Sequence, residues 1–162
     1  MPVSLGNAPA VLEATSPEQI EQARALFIQY ASSLGFSLCF QGFDEELKDL
    51  PGAYAPPAGC LLLAFQEGQP AGCVALRPLE SGICEMKRLY VRPALRGKGA
   101  GKVLVDRIIA EARRIGYQRM RLDTITSSMQ DAIALYGRRG FQEIPPYREN
   151  PIAGALYLEL VL

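Results

Sequence analysis

A short glycine-rich, basic segment joins a strand-like stretch to a helix-like stretch, and no other feature constrains the fold of this chain as strongly. The segment is Arg96-Gly97-Lys98-Gly99-Ala100-Gly101. Upstream, residues 83–92 are interpreted as a strand, which Pro93 ends. Downstream, apolar residues recur at helical spacing from Leu104 to Ile115. The sequence therefore predicts a strand, a tight turn and an amphipathic helix in immediate succession.

A turn of this kind is suited to bind phosphate groups. Glycines let the backbone approach a ligand and expose successive N–H groups, and a helix N-terminus adds partial positive charge. The P-loop motif is excluded, because Gly101-Lys102 is followed by Val103 and Arg96 occupies the position of the first glycine. The dinucleotide fingerprint is excluded as well, because its third glycine would fall on Lys102 or Leu104. A phosphate-bearing ligand of another class is expected.

The pattern that does fit is Arg-x-x-Gly-x-Gly, formed by Arg96, Gly99 and Gly101. It resembles the pyrophosphate loop with which the GNAT superfamily of N-acetyltransferases binds acetyl-CoA. A second segment, residues 132–141 with the sequence AIALYGRRGF, resembles the downstream signature of that superfamily. The resemblance implies acetyl-CoA as co-substrate and direct transfer of its acetyl group to a primary amine of a small molecule or peptide. It does not identify that amine.

The predicted elements follow the order found in that superfamily. We expect one domain over residues 1–162, with residues 1–9 loose. Strands are predicted over residues 10–14, 60–66, 71–77, 83–92, 119–125, 141–144 and 155–161, and turns over residues 67–70 and 78–82. Helices are predicted from Pro17 to about Gly35, over 43–50, from the glycine-rich segment to about Gly116, and over 129–139. The resemblance implies an α/β (α+β) fold: a mixed, mostly antiparallel sheet of six or seven strands flanked by four helices, with two parallel strands splayed to admit the co-substrate.

The composition excludes several classes of site. The chain contains no histidine, which removes Ser-His-Asp and Cys-His catalysis and most zinc hydrolase sites. The cysteines at positions 39, 60, 73 and 84 form no CxxC pair, which favours buried reduced thiols over a metal site. No apolar run approaches the ~20 residues of a membrane span, and the N-terminus lacks a signal sequence. We expect a cytoplasmic protein with no metal and no membrane association.

The charge is unevenly distributed although the formal net charge is zero. Between Lys87 and Arg121 there are eleven basic and two acidic residues, which leaves six basic and fifteen acidic residues elsewhere. A ligand with several phosphates suits the basic segment, and a cationic amine suits the acidic remainder. A solvated basic helix face is the alternative explanation. Nucleic acid is disfavoured as a partner, because the net charge is neutral and the loop lacks interleaved aromatic residues.

Glu85 is the candidate general base that removes a proton from the amine. It lies eleven residues before Arg96, where the resemblance places the catalytic glutamate of some lysine acetyltransferases. Burial among apolar neighbours is expected to raise its pKa toward neutrality. Two alternatives remain open. Glu85 forms a salt bridge or orients the substrate, or a chain of water molecules serves as the base.

The resemblance assigns further residues to the site. Tyr136 would donate a proton or hydrogen bond to the departing thiolate, the alternative being a core aromatic residue. The strand residues Leu89, Tyr90 and Val91 would bulge and offer main-chain groups to the pantetheine arm and the acetyl oxygen. The co-substrate site is completed by Arg96, Gly97, Lys98, Gly99, Ala100, Gly101 and Lys102. The chain departs from the family at Met129, which stands where an asparagine is common, and Ser127, Ser128 and Gln130 are nearby candidates for co-substrate contact or helix capping.

Acceptor specificity is expected in the first pair of helices, in the loops of residues 36–57 and in residues 145–154. Tyr54, Tyr147, Arg148, Glu149 and Asn150 are candidate lining residues, with an ordinary surface loop as the alternative. A homodimer is compatible with this interpretation. The competing functional class is a non-catalytic acyl-CoA-binding or sensor domain of the same fold, against which the presence of both Glu85 and Tyr136 argues.

Overall fold

One mixed sheet forms the centre of the molecule in the computed structural model, which describes residues 8–38, 42–126 and 129–162. The strands in these ranges are β1 (Ala10–Glu13), β2 (Cys60–Gln66), β3 (Gln69–Glu80), β4 (Ile83–Val91), β5 (Arg119–Ile125), β6 (Gln142–Glu143) and β7 (Ala155–Val161). They lie in the order β1-β2-β3-β4-β5-β7-β6, and every neighbouring pair is antiparallel except β4 and β5. The mixed, mostly antiparallel sheet predicted from the sequence is confirmed.

Four α-helices in the described ranges flank this sheet. They are α1 (Pro17–Ser33), α2 (Phe43–Asp49), α3 (Ala100–Ile115) and α4 (Gln130–Arg138), with 3-10 turns at Gly52–Tyr54 and Pro93–Leu95. Within the described part of the chain, no helix combines the length and the apolar character needed to cross a membrane. The first helix begins with a capping box, since Ser16 Oγ accepts from the amide of Gln19 at 3.2 Å and Gln19 Oε1 accepts from the amide of Ser16 at 3.1 Å.

The sheet separates two apolar cores because strand side chains alternate between its faces. Leu62 and Ala64 of β2 pack with α3 and α4, whereas Leu61 and Leu63 pack with α1 and α2. Both faces of β2 are therefore buried, which explains why this strand reads as a continuous apolar run. The helix α3 buries Leu104, Val105, Ile108, Ile109 and Ala112 along one face.

The hairpin between β2 and β3 is tighter than predicted, and β3 is longer. Glu67 and Gly68 both have positive φ, +52° and +79°, as a two-residue hairpin turn requires. The prediction of a turn over residues 78–82 was wrong, because β3 continues to Glu80. A register shift between Pro78 and Glu80 accommodates the proline, which has no N–H for the ladder. The change of direction is confined to Ser81 and Gly82, with Gly82 at φ +75°.

Two irregularities in β4 shape the site. The strand pairs with β5 only through Ile83–Arg119, Cys84–Met120 and Glu85–Arg121, after which the two parallel strands separate. On the other side the register with β3 passes from Ala75–Lys87 to Cys73–Tyr90, so Arg88 and Leu89 lie opposite one residue of β3. Arg88 has φ +64° at this β-bulge. The predicted splay and the predicted bulge are both present.

Candidate functional site

A cavity of about 720 Å³ opens where β4 and β5 separate. One wall is β4 from Met86 to Val91, and the facing wall is β5 from Leu122 to Ile125. The N-terminus of α3, the helix α4 and the C-terminal end of α1 complete the lining. The cavity therefore lies where β4 and β5 stop pairing with each other, while β4 stays paired with β3 and β5 with β7.

The glycine-rich segment forms an open cradle at one end of this cavity. Gly97 and Gly99 have φ values of +81° and +92°, which glycine adopts without steric cost. A Cβ built at either position meets no heavy atom of the described residues within 4 Å, so the space above the loop is open. Gly99 is the N-cap of α3, and the first amides of a helix have no acceptor within the helix. This arrangement fits an anion such as a diphosphate.

Every residue predicted to bind the co-substrate lines the cavity except Lys98, which is exposed. Arg96 Nε donates to the carbonyl of Val91 at 3.0 Å, and the guanidinium lies 6.0 Å from the ring centre of Tyr90. Lys102 lies in the first turn of α3 and also borders the cavity. The structure thus places two cations beside the open glycine backbone.

The bulge in β4 interrupts the ladder with β3 at the wall of the cavity. Arg88 and Leu89 have no residue of their own opposite them in the β3 ladder, and the carbonyl of Arg88 accepts from Cys73 Sγ at 3.3 Å. The buried guanidinium of Arg88 donates to both carboxylate oxygens of Glu46, at 2.8 and 2.9 Å. It also lies over the ring of Phe43 at 5.1 Å. Arg88 therefore connects the bulge to α2.

Tyr136 lies on α4 and lines the cavity, although only 6% of its surface is exposed. Its ring packs at 5.5 Å from that of Phe141. Burial raises the pKa of its hydroxyl, so the group is protonated at neutral pH and able to donate. Tyr136 thus belongs to the core and also borders the cavity, and its role as donor to the thiolate stays a prediction.

Glu85 is fully buried and is not among the described residues that line the cavity. Its Oε1 accepts from Arg77 Nε at 2.9 Å, and its Oε2 accepts from the hydroxyl of Tyr147 at 2.7 Å. Arg148 also donates to Oε2. The salt bridge considered as an alternative for Glu85 is therefore present, with one arginine from the neighbouring strand and one from the segment before β7.

The expectation that the pKa of Glu85 is raised was wrong. Burial by itself raises the pKa, but Lys87, Arg148 and Arg77 and the hydrogen bond from Tyr147 together outweigh it, and the pKa is lowered. The sequence showed that this position is buried but not that two guanidinium groups reach it. The carboxylate is thus ionised at neutral pH. A general-base role for Glu85 stays a prediction.

Lys87 and Asp123 border the cavity and were not singled out in the sequence. Lys87 lies two residues after Glu85 on β4 and is 5% exposed. Burial lowers its pKa to about 8, with Arg88 and Arg77 acting in the same sense, while Glu85 and Asp123 oppose them. Asp123 accepts from Asn150 Nδ2 at 3.2 Å. The available signal was the presence of three charged residues, Glu85, Lys87 and Arg88, within a strand whose other residues are apolar or aromatic.

The candidate acceptor residues lie in different parts of the structure. Asn150 lines the cavity, whereas Tyr147 and Arg148 bind Glu85 and Glu149 is exposed. Arg148 Nε is buried and has no hydrogen-bond partner among the described residues. Tyr54 instead lines a separate cavity of about 450 Å³ beside α2.

The segment before α4 is described in part. Ser127 and Ser128 lie outside the described residues, and Gln130 and Met129 line the large cavity. Met129 Sδ accepts from the hydroxyl of Thr124 at 3.0 Å. Cys60, Cys73 and Cys84 are buried free thiols, and Cys39 lies outside the described residues. Residues 8–38, 42–126 and 129–162 contain no cluster of His, Cys, Asp or Glu that could hold a metal ion.

Known proteins are similar to this chain in sequence and in fold. The model of the acetyltransferase (GNAT) family matches residues 22–141. An uncharacterised N-acetyltransferase of Schizosaccharomyces pombe is 40% identical over 146 residues, which are 89% of each chain. The IAA acetyltransferase of Azospirillum brasilense is 35% identical over 119 residues, covering 71% of this chain and 75% of its own. A GNAT-family acetyltransferase from Staphylococcus aureus shares the fold, with a TM-score of 0.76 at 19% identity and coverage of 94% and 98%. Sequence, splayed sheet and glycine cradle agree that the chain belongs to the GNAT family of acetyltransferases.

Proposed function

We propose that this protein is an acetyl-CoA-dependent N-acetyltransferase that transfers the acetyl group directly to a primary amine of a small molecule or peptide. The observation that carries the proposal is the continuity of one cavity from the glycine cradle at Gly97–Gly99 to the gap between β4 and β5. A ligand with a diphosphate at one end and an apolar arm at the other suits this combination.

The residues present fit acetyl-CoA. The amides of Gly99, Ala100 and Gly101 and the cations Arg96 and Lys102 would hold the diphosphate. The main chain of the bulge at Leu89 would hold the pantetheine amides, since it lies outside the ladder with β3. The thioester of acetyl-CoA supplies an activated acetyl group, so the transfer requires no covalent enzyme intermediate.

Tyr136 and Glu85 are the two side chains considered for the chemical step. Tyr136 would donate a proton or hydrogen bond to the leaving thiolate, because its buried hydroxyl is protonated at neutral pH and borders the cavity. The hydrogen bonds that Glu85 accepts from Arg77, Tyr147 and Arg148 favour a role in orienting that cluster. A base role for Glu85 requires one of those partners to leave.

The acceptor would approach from the side of α1 and of residues 145–154. Asp123 and Asn150 border the cavity there, and a carboxylate suits the ammonium form of an amine. The identity of the amine is left open by these contacts. A cytoplasmic location and a homodimer remain predictions.

The test combines binding with turnover. Calorimetry with acetyl-CoA and with CoA measures occupation of the cavity, and a thiol-release assay then screens amino acids, polyamines and short peptides as acceptors. We expect binding of acetyl-CoA, with CoA release that depends on one class of amine. Binding without release on any amine supports the non-catalytic sensor instead, and absence of binding contradicts both functions.

A further inference from the structure

Lys87 is a buried amine in the cavity for which the proposed acetyl transfer has no role. It is 5% exposed and forms part of the cavity wall. It lies two residues beyond Glu85, the last residue of β4 that pairs with β5. The neighbouring strand has therefore turned away at this level, and Lys87 borders the gap.

The sheet register shows which face Lys87 occupies. Lys87 is paired with Ala75, which packs in the core of α1, whereas Met86 is paired with Leu76, which packs in the core of α3. Directly opposite residues of an antiparallel pair lie on the same face. Lys87 thus faces the α1 side of the sheet, which is the side proposed for the acceptor.

A carboxylate stands across the gap from Lys87. Asp123 lies two residues beyond Arg121, the partner of Glu85 in the parallel pair, so Lys87 and Asp123 are at equivalent levels of the two strands. Both line the cavity, and their charges interact. The two charges therefore lie on the two walls of the space that opens between β4 and β5.

The order of residues along β4 places Lys87 at the reactive end of the site. The glycine cradle follows the C-terminal end of this strand, and Leu89, whose main chain would hold the pantetheine arm, lies between the cradle and Lys87. Along the chain, Lys87 and Leu89 are separated only by Arg88, the residue of the bulge. Lys102, by contrast, borders the cavity at the cradle itself.

The surroundings of Lys87 keep part of its amine neutral near physiological pH. Burial lowers its pKa to about 8, Arg88 and Arg77 favour the same direction, and Glu85 and Asp123 act against it. Tyr147 and Arg148 donate hydrogen bonds to Glu85, which lies two residues before Lys87 on β4. At pH 8 about half of Lys87 is neutral, whereas an ordinary lysine is neutral in about one molecule in 250.

We propose that Lys87 is a self-acetylation site, which takes the acetyl group of bound acetyl-CoA when no acceptor amine is present. The inference rests on the proposed function, because it requires acetyl-CoA in this cavity. The inference adds a modification site on the acceptor side of the cavity, at the point where β4 and β5 separate.

The reaction is balanced by the groups already named. The neutral Nζ of Lys87 forms a C–N bond to the thioester carbonyl carbon, the C–S bond breaks, and its electron pair goes to sulfur. The proton lost from nitrogen goes to the thiolate. The products are an acetylated Lys87 and CoA with a free thiol, and no oxidant or other co-reactant takes part.

Acetylation of Lys87 would change the acceptor side of the cavity. It removes a positive charge beside Asp123 and Glu85 and adds an acetamide to the space between the strands. The acetamide would occupy space that an acceptor amine needs, so the modified protein would acetylate an amine more slowly although the site has lost a positive charge. An excess of acetyl-CoA over acceptor would reduce the activity of the protein by this route.

The experiment measures the modification itself. The purified protein is incubated with one equivalent of isotope-labelled acetyl-CoA, with no amine, at several pH values from 7 to 9. Mass spectrometry of its peptides then follows label at Lys48, Lys87, Lys98 and Lys102. We expect label at Lys87 at least about tenfold faster than at the exposed Lys48, a rate that rises through pH 8, and inhibition by excess CoA.

Two arginine variants provide matched controls. Lys87→Arg keeps the positive charge but has no nucleophilic amine, and label should disappear from that peptide without appearing elsewhere. In the Lys48→Arg variant, Lys87 should be labelled at the same rate as in the unmodified protein. An unlabelled Lys87 in the unmodified sequence, or one labelled no faster than Lys48, overturns the inference without reliance on either variant. Calorimetry on the same sample separates the causes: binding without label contradicts self-acetylation alone, whereas no binding contradicts the proposed function as well.

Discussion

The hydroxyl of Tyr147 donates a hydrogen bond to Glu85 Oε2 at 2.7 Å, across a separation of 62 residues. Arg148 binds the same oxygen, so the segment that precedes β7 is attached to the middle of the sheet through one buried carboxylate. Tyr157 reinforces the attachment, because its hydroxyl donates to the carbonyl of Arg148 at 2.8 Å. The position of this segment beside the cavity therefore depends on the charge of Glu85.

Glu85→Gln should destabilise the fold by about 3 kcal/mol at pH 7, because removal of one partner leaves the guanidinium groups of Arg77 and Arg148 uncompensated in a buried cluster. The pKa of Glu85 is lowered in the folded state. Its ionised form therefore contributes stability above the unfolded pKa of about 4.3, and this contribution is lost as pH falls through the folded pKa. Urea unfolding of both forms between pH 7 and pH 3.5 measures the difference.

The control for this prediction is Glu149→Gln, which neutralises an exposed carboxylate in the same segment. It should change stability by less than about 0.5 kcal/mol. A difference between Glu85→Gln and the unmodified protein that stays constant down to the lowest pH would show that the ionised cluster is not its cause. Activity adds a second readout: a loss that is equal at all pH values supports an orienting carboxylate, whereas recovery at higher pH supports a general base.

The sequence predicted the parts of the structure that depend on local chemistry. The strands over 60–66, 119–125 and 155–161 have the predicted bounds, because apolar runs bounded by turn residues mark buried strands. The cradle at Gly97–Gly99 was recognised from its glycines, whose positive φ values few other residues tolerate. The splay and the bulge came from the family resemblance and not from the residues alone.

The remaining features depend on contacts between distant residues. The partners of Glu85 come from β3 and from the segment before β7, and no spacing in the sequence brings Arg77, Tyr147 and Arg148 together. The pKa of Glu85 was therefore predicted in the wrong direction. The approach of Asp123 to Lys87 likewise depends on where the two parallel strands separate. Such contacts are fixed by the way the strands pair with one another, and the sequence of a single strand does not determine its pairing.

Gly99→Ala should weaken acetyl-CoA binding more than it weakens the fold. The residue has φ +92°, so a side chain is strained there by about 1–2 kcal/mol, and a methyl group would extend into the open cradle. We expect at least about a tenfold rise in the dissociation constant, because the loop must rearrange to relieve the strain. Calorimetry with acetyl-CoA measures it.

Gly68→Ala is the matched control for the cradle. Gly68 has φ +79° in the turn between β2 and β3, and a Cβ there also meets no heavy atom of the described residues within 4 Å. Its unfolding free energy should fall by a similar amount, while acetyl-CoA affinity stays unchanged. Equal loss of affinity in both variants would show that general destabilisation, and not the cradle, is responsible.

Tyr136→Phe should lower kcat about 10- to 100-fold and leave the dissociation constant of acetyl-CoA nearly unchanged, because only the proton donor to the thiolate is removed. Tyr117→Phe is the control, since the Tyr117 hydroxyl donates to the carbonyl of Ala58 at 2.7 Å and neither residue lines the cavity. Steady-state kinetics with an acceptor found in the amine screen, combined with calorimetry, measures both quantities. A kcat equal to that of the unmodified protein would remove Tyr136 from the mechanism.

Glu46→Gln should destabilise the protein by about 3 kcal/mol, because the Arg88 guanidinium it neutralises is 2% exposed and lies at the bulge that shapes the cavity. Glu45→Gln, on the same helix, should change stability by less than about 0.5 kcal/mol, since its pairing with Lys48 is at 3.8 Å between exposed side chains. Urea unfolding compares the two variants. If the bulge depends on the Glu46–Arg88 ion pair, Glu46→Gln also weakens acetyl-CoA binding and Glu45→Gln does not.

Equal stabilities of the two variants would show that the buried ion pair contributes no more stability than the exposed one. The bulge would then be held by its contacts with β3 alone.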